Sequence, residues 1–150
     1  MTGRLHVAPT YFREATRADE AALTLIAHHT IAEYVVENLE QNYCPMLLRA
    51  DRPVGFAVCR ENTIDLIVID YAYHRCGFGT RLLKHCEAEL LAAYPAIGLQ
   101  CLEHNEQANQ FFRKHGWMET LTYRVSHGVR TILYQKLRDD EQKPAVRESR

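Results

Sequence analysis

The stretch from residue 63 to residue 102 constrains this chain most. TIDLIVID (63–70) is nearly continuously apolar and rich in β-branched side chains. That pattern reads as a central strand buried on both faces. From Gly79 to Tyr94 the apolar residues Leu82, Leu83, Cys86, Leu90 and Ala93 recur at intervals of three and four, the period of a helix, and Pro95 ends it. AIGLQCL (96–102) reads as a second buried strand. A strand, a helix and a strand in succession make a crossover at the middle of an α/β chain.

Antiparallel elements are expected on either side. YFREAT (11–16) reads as a first strand. Thr16 with Asp19 has capping-box spacing before an amphipathic helix that carries Ala22, Leu25, Ile26 and His29 on one face. IAEYVVENL (31–39) reads as a second, short helix. MLLRADRPVGFAVCR (46–60) reads as a hairpin turning at Asp51-Arg52-Pro53, and Glu61-Asn62 makes another turn. Asn105 can cap a helix through Lys114 with Ala108, Phe111 and Phe112 inward, and Gly116 stops it. WMETLTYRV and RTILYQKL close the order as a hairpin around Ser126-His127-Gly128. Residues 138–150 are polar, lack an apolar period and are expected to be a disordered tail.

With 150 residues, 47% of them apolar, the chain fits one domain. A formal net charge of -1 without a basic stripe argues against duplex nucleic acid as a partner. The first residues lack an apolar leader core and no run is long enough to cross a bilayer, so a cytoplasmic protein without a membrane partner is expected. The five scattered cysteines read as small buried apolar residues, with Cys76 in the glycine turn the candidate for reactivity. None of the eight histidines has metal-ligand spacing, so no metal is expected.

After the strand 63–70 the chain runs through YHRCGFGTRLL (73–83), where Gly77 and Gly79 open the helix. A helix N-terminus offers unpaired N–H groups and the positive end of the macrodipole, and glycines let a ligand approach the backbone closely. These features suit a phosphate or pyrophosphate. Thr80 adds a hydroxyl, and Arg75 and Arg81 add charge. A bare tight turn is the plain alternative. A dinucleotide turn would need a third glycine where Leu82 stands, and a P-loop would need Gly-Lys-Ser/Thr where Gly79-Thr80-Arg81 stands.

DLIVIDYAYHRCGFGTRLL (65–83) resembles motif A of the GCN5-related N-acetyltransferase (GNAT) superfamily, with Ile69, Tyr73, Gly77 and Gly79 at its marked positions. NEQANQFFRKHGW (105–117) resembles motif B of the same superfamily. The resemblance implies an α/β (α+β) fold: a mixed central sheet of about seven strands, mostly antiparallel, with a parallel splayed pair in the middle and about four helices around it. It implies a transferase domain over residues 10–137, preceded by an extension over residues 1–9. It implies acetyl-CoA as cosubstrate and direct transfer of acetyl to a primary amine of a small molecule or a protein. Residues 76–80 (Cys76, Gly77, Phe78, Gly79 and Thr80) would hold the pyrophosphate, helped by His74 and Arg75. The main chain of Ile67, Val68 and Ile69 would pair with the pantetheine arm as an added strand does. Asn105, Ala108, Phe111 and Phe112 would line the cofactor.

The chain departs from the motifs at three places. His74 replaces a Gln or Arg, Tyr71 replaces a proline, and Phe112 replaces a tyrosine that in many members protonates the leaving thiolate. Phe112 has no proton to give. A non-catalytic acyl-CoA-binding regulatory module is therefore the alternative. An alkyl amine has a pKa of about 10, so a base must take its proton. Candidate bases are Asp65, Glu103 and His104; an imidazole exchanges protons near neutral pH. Tyr134 and Tyr123 are candidate replacements for the missing hydroxyl. For the acceptor, the early helices offer His29, Glu33 and Tyr34, with Glu37 and Glu40 on the same helical face. A homodimer through the terminal strands is a further expectation of the resemblance.

Overall fold

The computed structural model describes residues 9–27, 32–124 and 128–141. The chain runs β1 (Thr10–Glu14), α1 (Glu20–Ile26), α2 (Ala32–Asn38), β2 (Pro45–Arg49), β3 (Arg52–Arg60), β4 (Thr63–Ile69), α3 (Phe78–Ala93), β5 (Ala96–Leu102), α4 (Glu106–Lys114), β6 (Met118–Arg124) and β7 (Arg130–Leu137). Seven strands form one mixed sheet in the order β1-β2-β3-β4-β5-β7-β6. The pairs β1–β2, β2–β3, β5–β7 and β6–β7 are antiparallel. The crossover produces the expected parallel pair, with Thr63 opposite Gly98 and Ile64 opposite Leu99. The chain divides into two compact units: Met1–Arg60 with Leu66–Cys86, and Glu61–Asp65 with Glu87–Arg150. No helix among the described residues is long and apolar enough to cross a membrane.

In the first unit the capping box forms as its spacing predicts. The Thr16 N–H donates to Asp19 Oδ2 at 2.9 Å, and Ala18 N–H donates to Thr16 Oγ1 at 3.3 Å. The box opens a 3₁₀ turn, Arg17–Asp19, that continues into α1. The expected inward face is wrong at one position, because the buried stripe of α1 runs through Leu23, Ile26 and Ala27, itself a spacing of three and four. Leu23 is in the core while Leu25 is 64% exposed. The core of this unit collects Leu23, Ile26, Val35, Leu39, Met46, Leu48, Phe56 and Val58. Leu66 and Val68 pack against it only partly covered. This corrects the reading of β4 as buried on both faces: Ile64 is buried, Asp65 is exposed and residues 66–69 are half-buried. They lie at the margin of the cluster, not at its centre.

The first hairpin turns at Ala50-Asp51, with φ of 49° and 67°, and not at Asp51-Arg52-Pro53. Arg52 and Pro53 already pair with Arg49 and Leu48. Two consecutive left-handed residues match the twist of the strands they join, which decides the turn. Gly55 sits in β3 where a Cβ would lie 2.5 Å from Ile69 Cδ1 and 2.6 Å from the Val68 carbonyl oxygen. Only glycine admits this approach of β3 to β4.

In the second unit β5 alternates: Ile97, Leu99 and Cys101 are buried, while Gln100 and Leu102 are exposed. This corrects the reading of a second buried strand: side chains alternate between the two faces of a sheet, and one face of β5 is covered while the other reaches solvent toward its end. Asn105 caps α4, its Oδ1 accepting from Ala108 N–H at 3.2 Å, and Gly116 takes φ +89° just past its end. Glu87, buried, accepts from Trp117 Nε1 at 2.9 Å and from Lys136 Nζ at 3.0 Å. The tail expectation fails at its start. Arg138 donates its N–H to the Pro95 carbonyl and its Nε to the Leu91 carbonyl, and Asp139–Glu141 form a 3₁₀ turn. Residues 142–150, like Ser126 and His127, lie outside the described residues.

Candidate functional site

The glycine turn belongs to the first unit and is built by short-range bonds. Asp70 closes β4, its N–H donating to the Val54 carbonyl at 2.8 Å and its Oδ1 accepting from Ala72 N–H at 3.1 Å. A 3₁₀ turn, Tyr71–Tyr73, follows. Arg75 and Gly77 are then left-handed, with φ of 65° and 83°, and α3 begins at Phe78. Arg81 N–H bonds to the Gly77 carbonyl at 3.2 Å as its first turn closes. The N–H groups of Phe78 and Gly79 belong to that first turn, whose donors have no acceptor inside the helix. Arg75, Cys76 and Gly77 are exposed, and a Cβ at Gly77 would meet nothing within 4 Å. An open, exposed turn at the start of a 16-residue helix fits a pyrophosphate. Of the strand residues named for the pantetheine arm, Ile67, Val68 and Ile69 are half-exposed.

His74 is exposed on this turn but not idle. Its Nε2–H donates to the Ile69 carbonyl at 2.9 Å, and its ring lies 5.0 Å from that of Tyr71. The imidazole is thus engaged with the backbone of the strand. Cys76 is the exposed cysteine; Cys44, Cys59, Cys86 and Cys101 are buried. Burial pushes the Cys44 thiol up to about 12 and raises that of Cys101 as well, so neither is a nucleophile near neutral pH.

In the second unit the candidate bases have distinct surroundings. Asp65 is exposed and its Oδ1 accepts from Thr63 Oγ1 at 2.8 Å. Glu103 is ion-paired to Arg130 at 3.0 Å. His104 is exposed on the turn before α4. Ala108 and Phe111 are half-buried. Phe112 is buried against Trp117 and Tyr134, with centroids at 6.3 and 6.0 Å, so its ring belongs to the core, not to an open surface. Tyr134 is 0% exposed. Its hydroxyl donates to Asn109 Oδ1 at 2.5 Å, and burial raises its pKa. That proton is engaged inside the protein, which gives no support to Tyr134 as an acid. Tyr123 donates to Gln100 Oε1 at 2.8 Å.

The acceptor candidates are not brought together as expected. Glu33 and Glu37 are exposed on α2 and Tyr34 packs against the core. Glu40 falls beyond the helix with φ 69°, its carboxylate accepting from Arg17 N–H at 2.9 Å. His29 lies outside the described residues. Sequence reading missed Asn109 and Glu87. Each is a polar residue at an apolar position of a helix, and that mismatch was the available signal.

The model of the acetyltransferase (GNAT) domain matches residues 7–138. A peptidyl-lysine N-acetyltransferase of Escherichia coli, YjaB, is 34% identical over 70 residues. That match takes in 47% of this chain and 45% of the relative, so about half of each. The solution structure of apo YjaB aligns over 85% of this chain and 97% of its own at 20% identity, with a TM-score of 0.70. The ribosomal-protein-S18-alanine N-acetyltransferase of E. coli aligns over 86% and 94% at 19% identity, with a TM-score of 0.73. The Salmonella typhimurium protein yncA, solved with acetyl-CoA, aligns over 85% and 93% at 16% identity, with a TM-score of 0.67. The structural neighbours share the fold, and the family model shows the kinship: this chain belongs to the acetyltransferase (GNAT) family.

Proposed function

We propose that this protein transfers acetyl from acetyl-CoA to the primary amine of a protein, with a lysine side chain as the first acceptor to test. The observation that carries the proposal is the entry to α3. A half-exposed apolar strand, an exposed turn with two left-handed residues and a helix N-terminus follow one another, in a chain of the acetyltransferase family. Lysine is favoured as acceptor by the match to the peptidyl-lysine enzyme of E. coli.

In this reading Cys76, Gly77, Phe78, Gly79 and Thr80 hold the pyrophosphate, with Arg75 beside it. Acetyl-CoA supplies an acyl thioester whose thiolate, from a thiol of pKa about 8.5, leaves readily. The chain must accept a proton from the incoming ammonium, and Asp65, Glu103 and His104 are the groups to test for that step. Phe112 delivers no proton to the leaving group. Glu33 and Tyr34 of α2 remain the acceptor-side candidates. A homodimer joined along β6 is part of the same proposal.

The test begins with thermal melts in acetyl-CoA, CoA and NAD. A ligand at a hundred times its Kd adds about 2.7 kcal/mol, a rise of several degrees for a domain of this size. The expected result is a rise with both CoA species and none with NAD, followed by thiol release with a lysine peptide. Gly79→Val should lower acetyl-CoA affinity at least about a hundredfold with the melting temperature of the free protein little changed; unaltered affinity would sink the pyrophosphate assignment. Binding without turnover of any amine would favour the non-catalytic acyl-CoA module, a reading the buried Phe112 motivates.

A further inference from the structure

Asn109 occupies a core position of α4 and is 2% exposed. Its Nδ2 group faces three main-chain carbonyls of the turn between β5 and α4: Leu102 at 2.9 Å, Glu103 at 3.3 Å and Asn105 at 2.8 Å. Three acceptors at one end of an amide fix that end as the NH₂ and the other as the carbonyl. The Tyr134 hydroxyl must then donate to Asn109 Oδ1, and its lone pair accepts from Arg113 Nη1 at 3.2 Å. Arg113 is held in turn by Glu119 at 2.9 Å. Every hydrogen bond from Glu119 to the turn has one allowed direction.

The helix does not need this arrangement for itself. Asn105 already caps it, and an apolar side chain at position 109 would be cheaper to bury than an amide. What the amide fastens is the turn. That turn carries Glu103 and His104, and three main-chain bonds complete it: Glu103 N–H to the Arg130 carbonyl, Asn105 N–H to that of Leu102, and Glu106 N–H to that of His104.

We propose that Asn109 is a positioning residue for acetyl transfer. It fixes the turn on which Glu103 and His104 stand, and Tyr134 orients its amide. The inference rests on the transferase reading given above. A misplacement of about 1 Å can cost about a hundredfold in rate, so a fully bonded anchor under the turn has a kinetic purpose.

Tyr134→Phe tests it, because the ring stays in the core and only the hydroxyl goes. The expected result is a kcat about tenfold lower, a KM for acetyl-CoA within about twofold of wild type, and a shifted limb in the pH–rate profile. Hydrogen exchange on the free protein supplies a readout independent of turnover. The amides of Glu103, Asn105 and Glu106 should exchange about tenfold faster, with those of α3 unchanged. Arg113→Met, an exposed change that strips the outer donor, is read the same way should Tyr134→Phe fail to fold. Unchanged exchange, or faster exchange with kcat and pH profile unaltered, overturns the proposal. A wild-type protein that acetylates no amine overturns the transferase reading instead, and the exchange rates separate that failure from this one.

Discussion

Asp19 accepts three bonds: from Nη1 and Nη2 of Arg13, each at 2.9 Å, and from the Thr16 N–H at 2.9 Å. The hydrogen bonds from Arg13 keep the Asp19 carboxyl below its ordinary range. A carboxyl depressed in the folded state stabilises the fold above its unfolded pKa of about 3.9. That contribution is lost as the pH falls through the lower, folded value. Asp19→Asn should therefore cost about 1–2 kcal/mol at pH 7, through the cap and the charge-assisted bond, and the gap to wild type should close in acid. Urea melts of both proteins across pH would reveal it; an equal gap at every pH would leave the carboxylate with no part. Much at this scale was legible. The spacing of Thr16 and Asp19 announces a capping box without reference to the rest of the fold. Arg13 as its partner was not legible, because a strand residue and a cap meet only once β1 and α1 are both placed. Asn109 was hidden for the opposite reason: its helical period puts it inward, and only tertiary partners explain why an amide is tolerated there.

Between elements, β3 and β4 approach at Gly55 as a side chain would forbid. Gly55→Ala must push on the Val68 carbonyl and the Ile69 side chain, and backbone yields poorly. A loss of about 2–3 kcal/mol is expected from overpacking. Acetyl-CoA affinity should fall as well, since the displaced residues lie in the stretch assigned to the pantetheine arm; a denaturation curve and a binding titration on one sample would check both. A variant as stable as wild type would mean that the strands part at no cost. The periodicities that fixed the existence of β4, α3, β5 and α4 were local, and they were read correctly. What they misjudged was exposure. Residues 66–69 look like a buried strand in isolation, but their cover depends on where the neighbouring cluster ends. Leu25 was misplaced because two stripes of three-and-four spacing compete in so short a helix, and packing against the core chooses Leu23, Ile26 and Ala27.

At the scale of the whole molecule, β6 ends the strand order and its residues are exposed but for the partly covered Tyr123, with Met118 at 62% and Leu121 at 56%. An open edge of this kind pairs with another strand unless something blunts it. If the homodimer forms along it, sedimentation should report a dimer for wild type and a monomer for Leu121→Lys, with the helical content of the two alike. A dimer that survives the substitution would move the interface elsewhere. The order of elements was available from residue patterns together with the motif resemblance; the identity of the edge was not, because strand order follows from pairing across the whole chain. The bond from Trp117 to Glu87 has a use of its own. This is the chain's single tryptophan, it is buried, and it lies in the second unit beside Phe112. The intrinsic fluorescence of the protein is therefore a reporter for that unit, and a shift of its emission to the red, followed in time after dilution into denaturant, clocks the loss of that core with no label attached.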